Sequence, residues 1–347
     1  MRTISRLNKA FYNAFPLPFD DNSKMVFFSD VHRGMDNLSD EFGRNKHIYN
    51  YALKYYYQND FTYIEVGDGD ELWENTSFQH IHNAHKPTFD TLKKYYADGR
   101  MHLIYGNHDI QRSDDDFVRH NYHETVDEYT EIEEDLFPGI NMHEAIILKH
   151  RKTGQEIFIA HGHQGDLLND QLWKVSYVLV RFFWRFLHIA GVKYAASPAK
   201  SRQKRHRIEK NITKWTDRTG IMVICGHTHR PKFPSPGEAA YFNCGCCIHP
   251  RDIQCIEIIY GKVYLISWAM NSKKDGALFI KRTVMKGPLP LVSFSKNELN
   301  IDYTQEFRGN KFRDFRIKRR LAKEEKRLRD EGIISSDMEQ NDGGCNE

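Results

Sequence analysis

Five short polar segments, spread between residues 29 and 229, carry side chains that bind metal ions. They are Ser29-Asp30-Val31-His32, Gly67-Asp68-Gly69-Asp70-Glu71, Gly106-Asn107-His108-Asp109, His161-Gly162-His163 and Gly226-His227-Thr228-His229. Asp30 and His32 are two apart, so on an extended segment they point the same way and can chelate one ion. Asp68 can bridge two cations with its two carboxylate oxygens. Asn107 offers a neutral carbonyl oxygen, which limits the negative charge and leaves an ion electrophilic. His227 and His229 can each take a different ion if their turn directs them across the gap. His161 brings the set to seven ligands, enough for two partly hydrated ions. Asp, Asn, Gly and His are common in turns anyway, so each segment alone says little. Their joint recurrence points to a pair of metals.

Such ligands converge only if something aligns them. Apolar β-type runs precede most of the segments: Met25–Phe28, Tyr63–Val66, His102–Tyr105, Ile157–Ala160 and Ile221–Cys225. A strand followed by a Gly-containing turn, repeated, places the polar residues at one end of a sheet. Between the runs, helical patterns near 39–58 and 88–97 give α/β order, and Ser113–Tyr129 reads as charged helix or loop. Glu144–Lys149 and Glu156–Ala160 form a hairpin through Thr153-Gly154. After Cys225 the chain turns β-rich, with runs at Ala239–Asn243, Ile253–Ile259, Lys262–Trp268 and Ala277–Val284. The expectation is two packed sheets with helices outside. It divides the chain into an N-terminal segment 1–24, a domain 25–300 with an insertion at 170–218, and a charged helix with a polar tail at 301–347.

At 347 residues and net charge +3, the chain is large enough for a sizeable core and is no polybasic nucleic-acid binder. Charge is concentrated instead: residues 170–218 hold twelve Lys or Arg against three acids, a net of +9, leaving −6 elsewhere. Within Leu172–Ala190 the apolar positions follow helical spacing, and Lys174, Arg181, Arg185 and His188 fall opposite them. This pattern suits either a packed helix or a lid that meets an anionic lipid surface, with Arg181 and Arg185 as candidate substrate contacts. The six cysteines form no pair of separated zinc-knuckle motifs. They read as reduced packing thiols of a reducing compartment. No signal peptide and no uninterrupted apolar span is apparent, so a cytoplasmic protein is expected, with the inner membrane face as its peripheral site.

The five segments in this order resemble the calcineurin-like metallophosphoesterase family. That resemblance covers roughly residues 25–268 and implies a four-layer α/β/β/α sandwich of two mixed sheets with an inserted helical lid. Carried over motif by motif, it implies one ion on Asp30, His32, Asp68 and His229, and another on Asp68, Asn107, His161 and His227. Mixed nitrogen and oxygen donors suit Mn²⁺, Fe²⁺ or Zn²⁺. The expected chemistry is phosphoester or pyrophosphate hydrolysis by a metal-bridging hydroxide. His108 is expected to protonate the leaving oxygen and Asp109 to orient His108. Arg33 and His163 are further substrate-binding candidates. Asp70 and Glu71 are weighed evenly between orienting ligands and being solvated. The histidines at 80–85 and 120–123 are taken as surface or supporting residues.

Gly226–Pro231 and the Gly-Asp…Glu-Leu-Trp stretch look similar to family members that cleave UDP-2,3-diacylglucosamine. The chain departs from them at His108 and His163. A lipid-linked or nucleotide-diphosphate substrate therefore leads. The alternatives are a soluble phosphomonoesterase or phosphodiesterase, a nuclease using the basic stretches at 193–218 and 311–329, and a non-catalytic scaffold. The basic stretches lack the aromatic interleaving of a base-stacking groove, and the intact ligand set argues against a scaffold.

Overall fold

The computed structural model describes residues 2–75, 77–127, 130–164 and 202–295. Its elements begin with α1 (Arg2–Tyr12), β1 (Phe15–Phe19), β2 (Lys24–Phe28), α2 (Lys46–Gln58) and β3 (Thr62–Val66). There follow α3 (Phe78–Ala84), α4 (Lys86–Ala97), β4 (Met101–Ile104), α5 (Asp115–Tyr122), β5 (Glu124–Val126), β6 (Glu133–Asp135) and β7 (Met142–His143). The chain continues through β8 (Ala145–His150), β9 (Glu156–Ala160) and α6 (Arg202–Thr219). It then runs through β10 (Met222–Cys225), β11 (Tyr241–Asn243), β12 (Ile253–Ile259), β13 (Lys262–Ser272) and β14 (Leu278–Pro290).

Two mixed sheets form, in the orders β1-β8-β9-β10-β11 and β14-β13-β12-β2-β3-β4-β7. Strand alternation explains how they stack. Met25 and Phe27 of β2, with Ile64 and Val66 of β3, join Ile157 and Ile159 of β9 and Ile224 of β10 in a core between the sheets. The intervening residues Val26, Phe28 and Tyr63 point the other way, onto Tyr49, Leu53 and Tyr56 of α2 and Leu92 of α4. On the second sheet, Phe158 and Val223 turn outward onto Leu7 and Ala10 of α1 and Ile208, Ile212 and Trp215 of α6. Three apolar layers thus separate four layers of secondary structure, the expected sandwich.

The N-terminal residues do not stand apart from the domain, as the sequence division had it. β1 pairs in parallel with β8, Phe15 opposite Ile146 through Phe19 opposite His150. α1 packs beside α6, where Trp215 Nε1 donates to Asn8 Oδ1 at 2.7 Å. The described part of the 170–218 insertion is α6, an outer-layer helix of the sandwich with Ile208, Ile212 and Trp215 buried at helical spacing. Arg181 and Arg185, and the rest of the expected lid, lie outside the described residues, as does the 301–347 tail. Elsewhere the α/β order holds, with boundaries moved: α2 starts at Lys46, and β13 and β14 run longer than expected.

Candidate metal centre

β2, β3 and β4 are parallel neighbours, and β9 and β10 are parallel in the other sheet. Each of the five polar segments begins where one of these strands stops. Their side chains meet at one edge of the sandwich, between the sheets. Ligand atoms of Asp30, His32 and His229 all lie within 4.8 Å of one another, as do those of Asp68, His161 and His227. Asp68 Oδ2 stands 3.8 Å from His32 Nε2 and 3.0 Å from His161 Nε2, between the two groups. A carboxylate so placed could serve a cation held by either group.

The hydrogen bonds leave one donor atom of Asp30, Asp68 and His161 turned inward, while His32 Nε2 and His229 Nε2 face each other at 3.4 Å. Asp30 Oδ2 accepts from Ser29 Oγ at 2.6 Å and from the His227 N–H at 2.9 Å, while its Oδ1 is buried without a hydrogen bond. Asp68 Oδ1 accepts from the His108 N–H at 2.8 Å, which frees Oδ2. His161 Nδ1 donates to Val66 O at 2.9 Å, so its Nε2 faces the cluster, buried and unbonded. Asn107 Oδ1 is likewise buried without a partner. Asp30 Oδ1 and His229 Nε2 approach to 3.0 Å yet are not aligned as a hydrogen bond. Buried polar atoms are normally paired, and an outer partner on the far ring nitrogen is how ligand histidines are oriented. Oxygen and imidazole donors left this way fit divalent cations.

Backbone strain is concentrated at the same residues. Asp30, His32, Asp68, His227 and His229 all have positive φ, between 50° and 66°. Each such conformation costs roughly 1–2 kcal/mol for an L-residue, and it persists only where surrounding contacts over-determine it. Gly106 shows how tight the fit is: a Cβ there would stand 2.1 Å from Asp68 Oδ1.

Electrostatics favours positive charge in the cluster. Burial opposes ionisation of Asp30, but His229 and His161 outweigh it and hold the carboxyl at about 2. Burial likewise works against a charged His161, yet Asp68 and Asp30 push it up to about 9. His163 goes the other way: burial, then the neighbouring His161 and His227, keep it neutral. It is buried beside them, with ring centroids 5.5 Å and 6.4 Å away.

His108 lies at the rim, its side chain 26% exposed. Its orienting partner is Glu71 rather than Asp109. Glu71 Oε2 lies 2.8 Å from Nδ1 of His108 and 2.8 Å from Nδ1 of His32, so one carboxylate positions both a ligand and the candidate acid. Burial lowers the His108 pKa, but Glu71 and Asp68 raise it to about 9, and the ring stacks on Trp73 at 4.5 Å. Asp109 turns inward and accepts from the N–H groups of Gly69 at 2.8 Å and Gly106 at 2.6 Å.

Arg33 is also not where a substrate contact would be: it is 1% exposed, and Glu65 and Asp70 occupy its guanidinium. Sequence reading missed the structural part played by Glu65 and Arg112. The available signal was a carboxylate inside an apolar strand, which cannot be buried unpaired. His82 and His85 are core residues, not surface ones, and His85 Nε2 lies 3.0 Å from Asp40 Oδ2. His249 is half exposed and pairs with Asp252. Five cysteines among the described residues are buried and unbridged, as packing thiols should be.

The calcineurin-like phosphoesterase family matches residues 23–231, more than half of the chain. No curated protein sequence matches. Among solved structures, a mutant of a cold-active protein tyrosine phosphatase aligns over 79% of this chain and 84% of its own, at 12% identity and a TM-score of 0.32. That similarity is too slight to bear on fold or substrate. No helix among the described residues is long and apolar enough to cross a membrane.

Proposed function

The chain belongs to the calcineurin-like phosphoesterase family, and on that premise we propose a phosphohydrolase that uses two divalent cations. Mn²⁺, Fe²⁺ or Zn²⁺ suit the mixed donors. Asp30, His32, Asp68 and His229 would hold one ion, and Asp68, Asn107, His161 and His227 the other. When bound, such a pair polarises the phosphoryl group and makes water a nucleophile at neutral pH. The observation that carries this reading is the inward set of buried donor atoms on Asp30, Asn107 and His161, left unbonded while the other carboxylate oxygen of Asp30 and the other ring nitrogen of His161 are held.

The chain's own residues supply the rest. His108, at the rim and held protonated beside Glu71, donates a proton to the leaving oxygen. Glu71 fixes the plane of that imidazole, and Trp73 backs its face. Little covalent work remains for the protein in phosphoryl transfer, so no nucleophilic Ser or Cys is required.

A lipid-linked or nucleotide-diphosphate substrate is the finer reading. It is supported by a row of exposed cations on α6, Arg207, Lys210, Lys214 and Arg218, at helical spacing opposite the buried face. Such a row suits an anionic membrane surface. Asp68→Ala should abolish hydrolysis of an aryl phosphodiester and lower bound metal in elemental analysis. Turnover that survives in that variant would remove the metal pair from the mechanism. For the lipid reading, Lys210→Glu/Lys214→Glu should release the protein from phosphatidylglycerol vesicles. Failure of the wild type to sediment with them would leave the soluble phosphodiesterase in its place.

A further inference from the structure

Beneath the ligand loops lie five ionisable side chains that are 0–1% exposed and have no ligand duty: Arg33, Glu65, Asp70, Asp109 and Arg112. Removing that many charges from water is costly, and packed apolar residues would stabilise a core as well or better. What guanidinium groups add is direction, because their donors are fixed in a planar fork.

The fork contacts follow the loops. Arg33, next to His32, donates from Nε to Asp70 Oδ1 at 2.6 Å and from Nη1 and Nη2 to the two oxygens of Glu65 at 2.8 and 3.1 Å. It therefore joins the Asp30–His32 loop to the Asp68 loop and its strand. Arg112 donates from Nη1 to Glu65 Oε1 at 2.9 Å and lies 2.8 Å from Asp109 Oδ2; its Nη2 meets Asp70 Oδ2. It joins the Asp68 loop to the Asn107–His108 loop. Tyr122 closes this side, its hydroxyl donating to Asp70 at 2.7 Å and accepting from Arg112 Nε at 3.0 Å. There is no slack at the crossing point, where a Cβ on Gly69 would stand 1.8 Å from Glu65 Oε1. Among the described residues, the His161 loop and the His227–His229 loop take no part.

We propose that Arg33 and Arg112 are positioning residues with separate charges: Arg33 sets the ligands of the Asp30–His32–Asp68 cation site, and Arg112 sets those of the Asp68–Asn107 site. The inference rests on the two-cation reading, and the wild-type titration tests that reading by itself. Full-length protein is titrated with Mn²⁺ by calorimetry, and spin coupling between ions is followed by electron paramagnetic resonance.

Wild type should bind two ions; one ion or none would refute the two-cation reading and the assignment with it. Given two ions, Arg112→Met should weaken one by about tenfold, the low end of the cost of losing a partner bonded directly to a ligand, since Arg112 acts one bond further out, and abolish spin coupling at limiting Mn²⁺. In an Asn107→Ala background Arg112→Met should add no further loss, whereas Arg33→Met should weaken the remaining ion. Equal weakening of both ions by both substitutions, or two ions bound with wild-type affinity, would overturn the assignment. Arg33→Lys and Arg112→Lys keep the charge without the fork. If the Met variants do not fold, the Lys variants carry the same site-selective expectation, and its absence in them is equally decisive.

Discussion

Glu71 is the residue whose replacement separates metal holding from proton donation. Its Oε2 accepts from Nδ1 of His32 at 2.8 Å and its Oε1 from Nδ1 of His108 at 2.9 Å. Each charge-assisted bond of this kind is worth about 1.5–3 kcal/mol. Glu71→Gln keeps the shape, but its amide group turns a donor toward one of the two rings. One bond is lost and the other loses its charge, a total of about 2–4 kcal/mol. At roughly 1.4 kcal/mol per tenfold, kcat/KM on an aryl phosphodiester should fall on the order of 30- to 1,000-fold. The two arms separate in a Mn²⁺ titration. Loss of the His32 arm raises the half-saturating Mn²⁺ by about tenfold or more and is overcome at saturation. Loss of the His108 arm remains as a lower kcat. Glu71→Asp retains the charge but reaches about 1.5 Å less far, so it should show one defect without the other. Wild-type kcat together with wild-type Mn²⁺ half-saturation in Glu71→Gln would refute the shared carboxylate.

Gly106→Ala should displace Asp68, since the new Cβ would stand 2.1 Å from its Oδ1; elemental analysis should find the folded variant depleted of metal. Trp215→Ala removes a buried ring and the bond to Asn8 that fastens α1. A loss of about 3–5 kcal/mol is expected in chemical denaturation, and a loss under 1 kcal/mol would mean that α1 is not part of the core. Burial lowers the His102 pKa to about 4 from its ordinary 6.5. The unfolded chain then takes up a proton that the folded one resists, so this contribution is complete above pH 6.5 and is lost as pH falls toward 4. At roughly 1.4 kcal/mol per unit the ceiling is about 3 kcal/mol, reduced because the ring is only half-buried. Stability measured across that window should be flatter in His102→Phe than in wild type; parallel curves would exclude the group.

Much of the centre was legible before the fold. Ligand type, order and loop position are local properties, set by alternating apolar runs that must be strands and by Gly-containing turns that must follow them. The packed sheets followed too, because α/β order gives way to a β-rich final third, and runs such as those of β2, β3 and β9, buried on nearly every residue, require a partner on each face. What stayed hidden was contact between residues distant in sequence. Asp109 is the neighbour of His108 in the chain, yet its carboxylate serves backbone N–H groups while Glu71 reaches the imidazole. Arg33 stands beside a ligand and looks available to phosphate, but β3 brings Glu65 beneath it.

The N-terminal stretch shows the same division. Phe15-Pro16-Leu17-Pro18-Phe19 reads poorly as a strand because proline has no N–H to give a ladder. It becomes β1 because it pairs on one side only, at the sheet edge, where the missing donors face away. The sequence by itself determined which chemical groups are present and that they sit at strand ends, since those are consequences of spacing along one chain. Which carboxylate meets which cation or imidazole was decided by tertiary packing alone, because burial makes every charge find a partner and only the folded neighbourhood says which one is near.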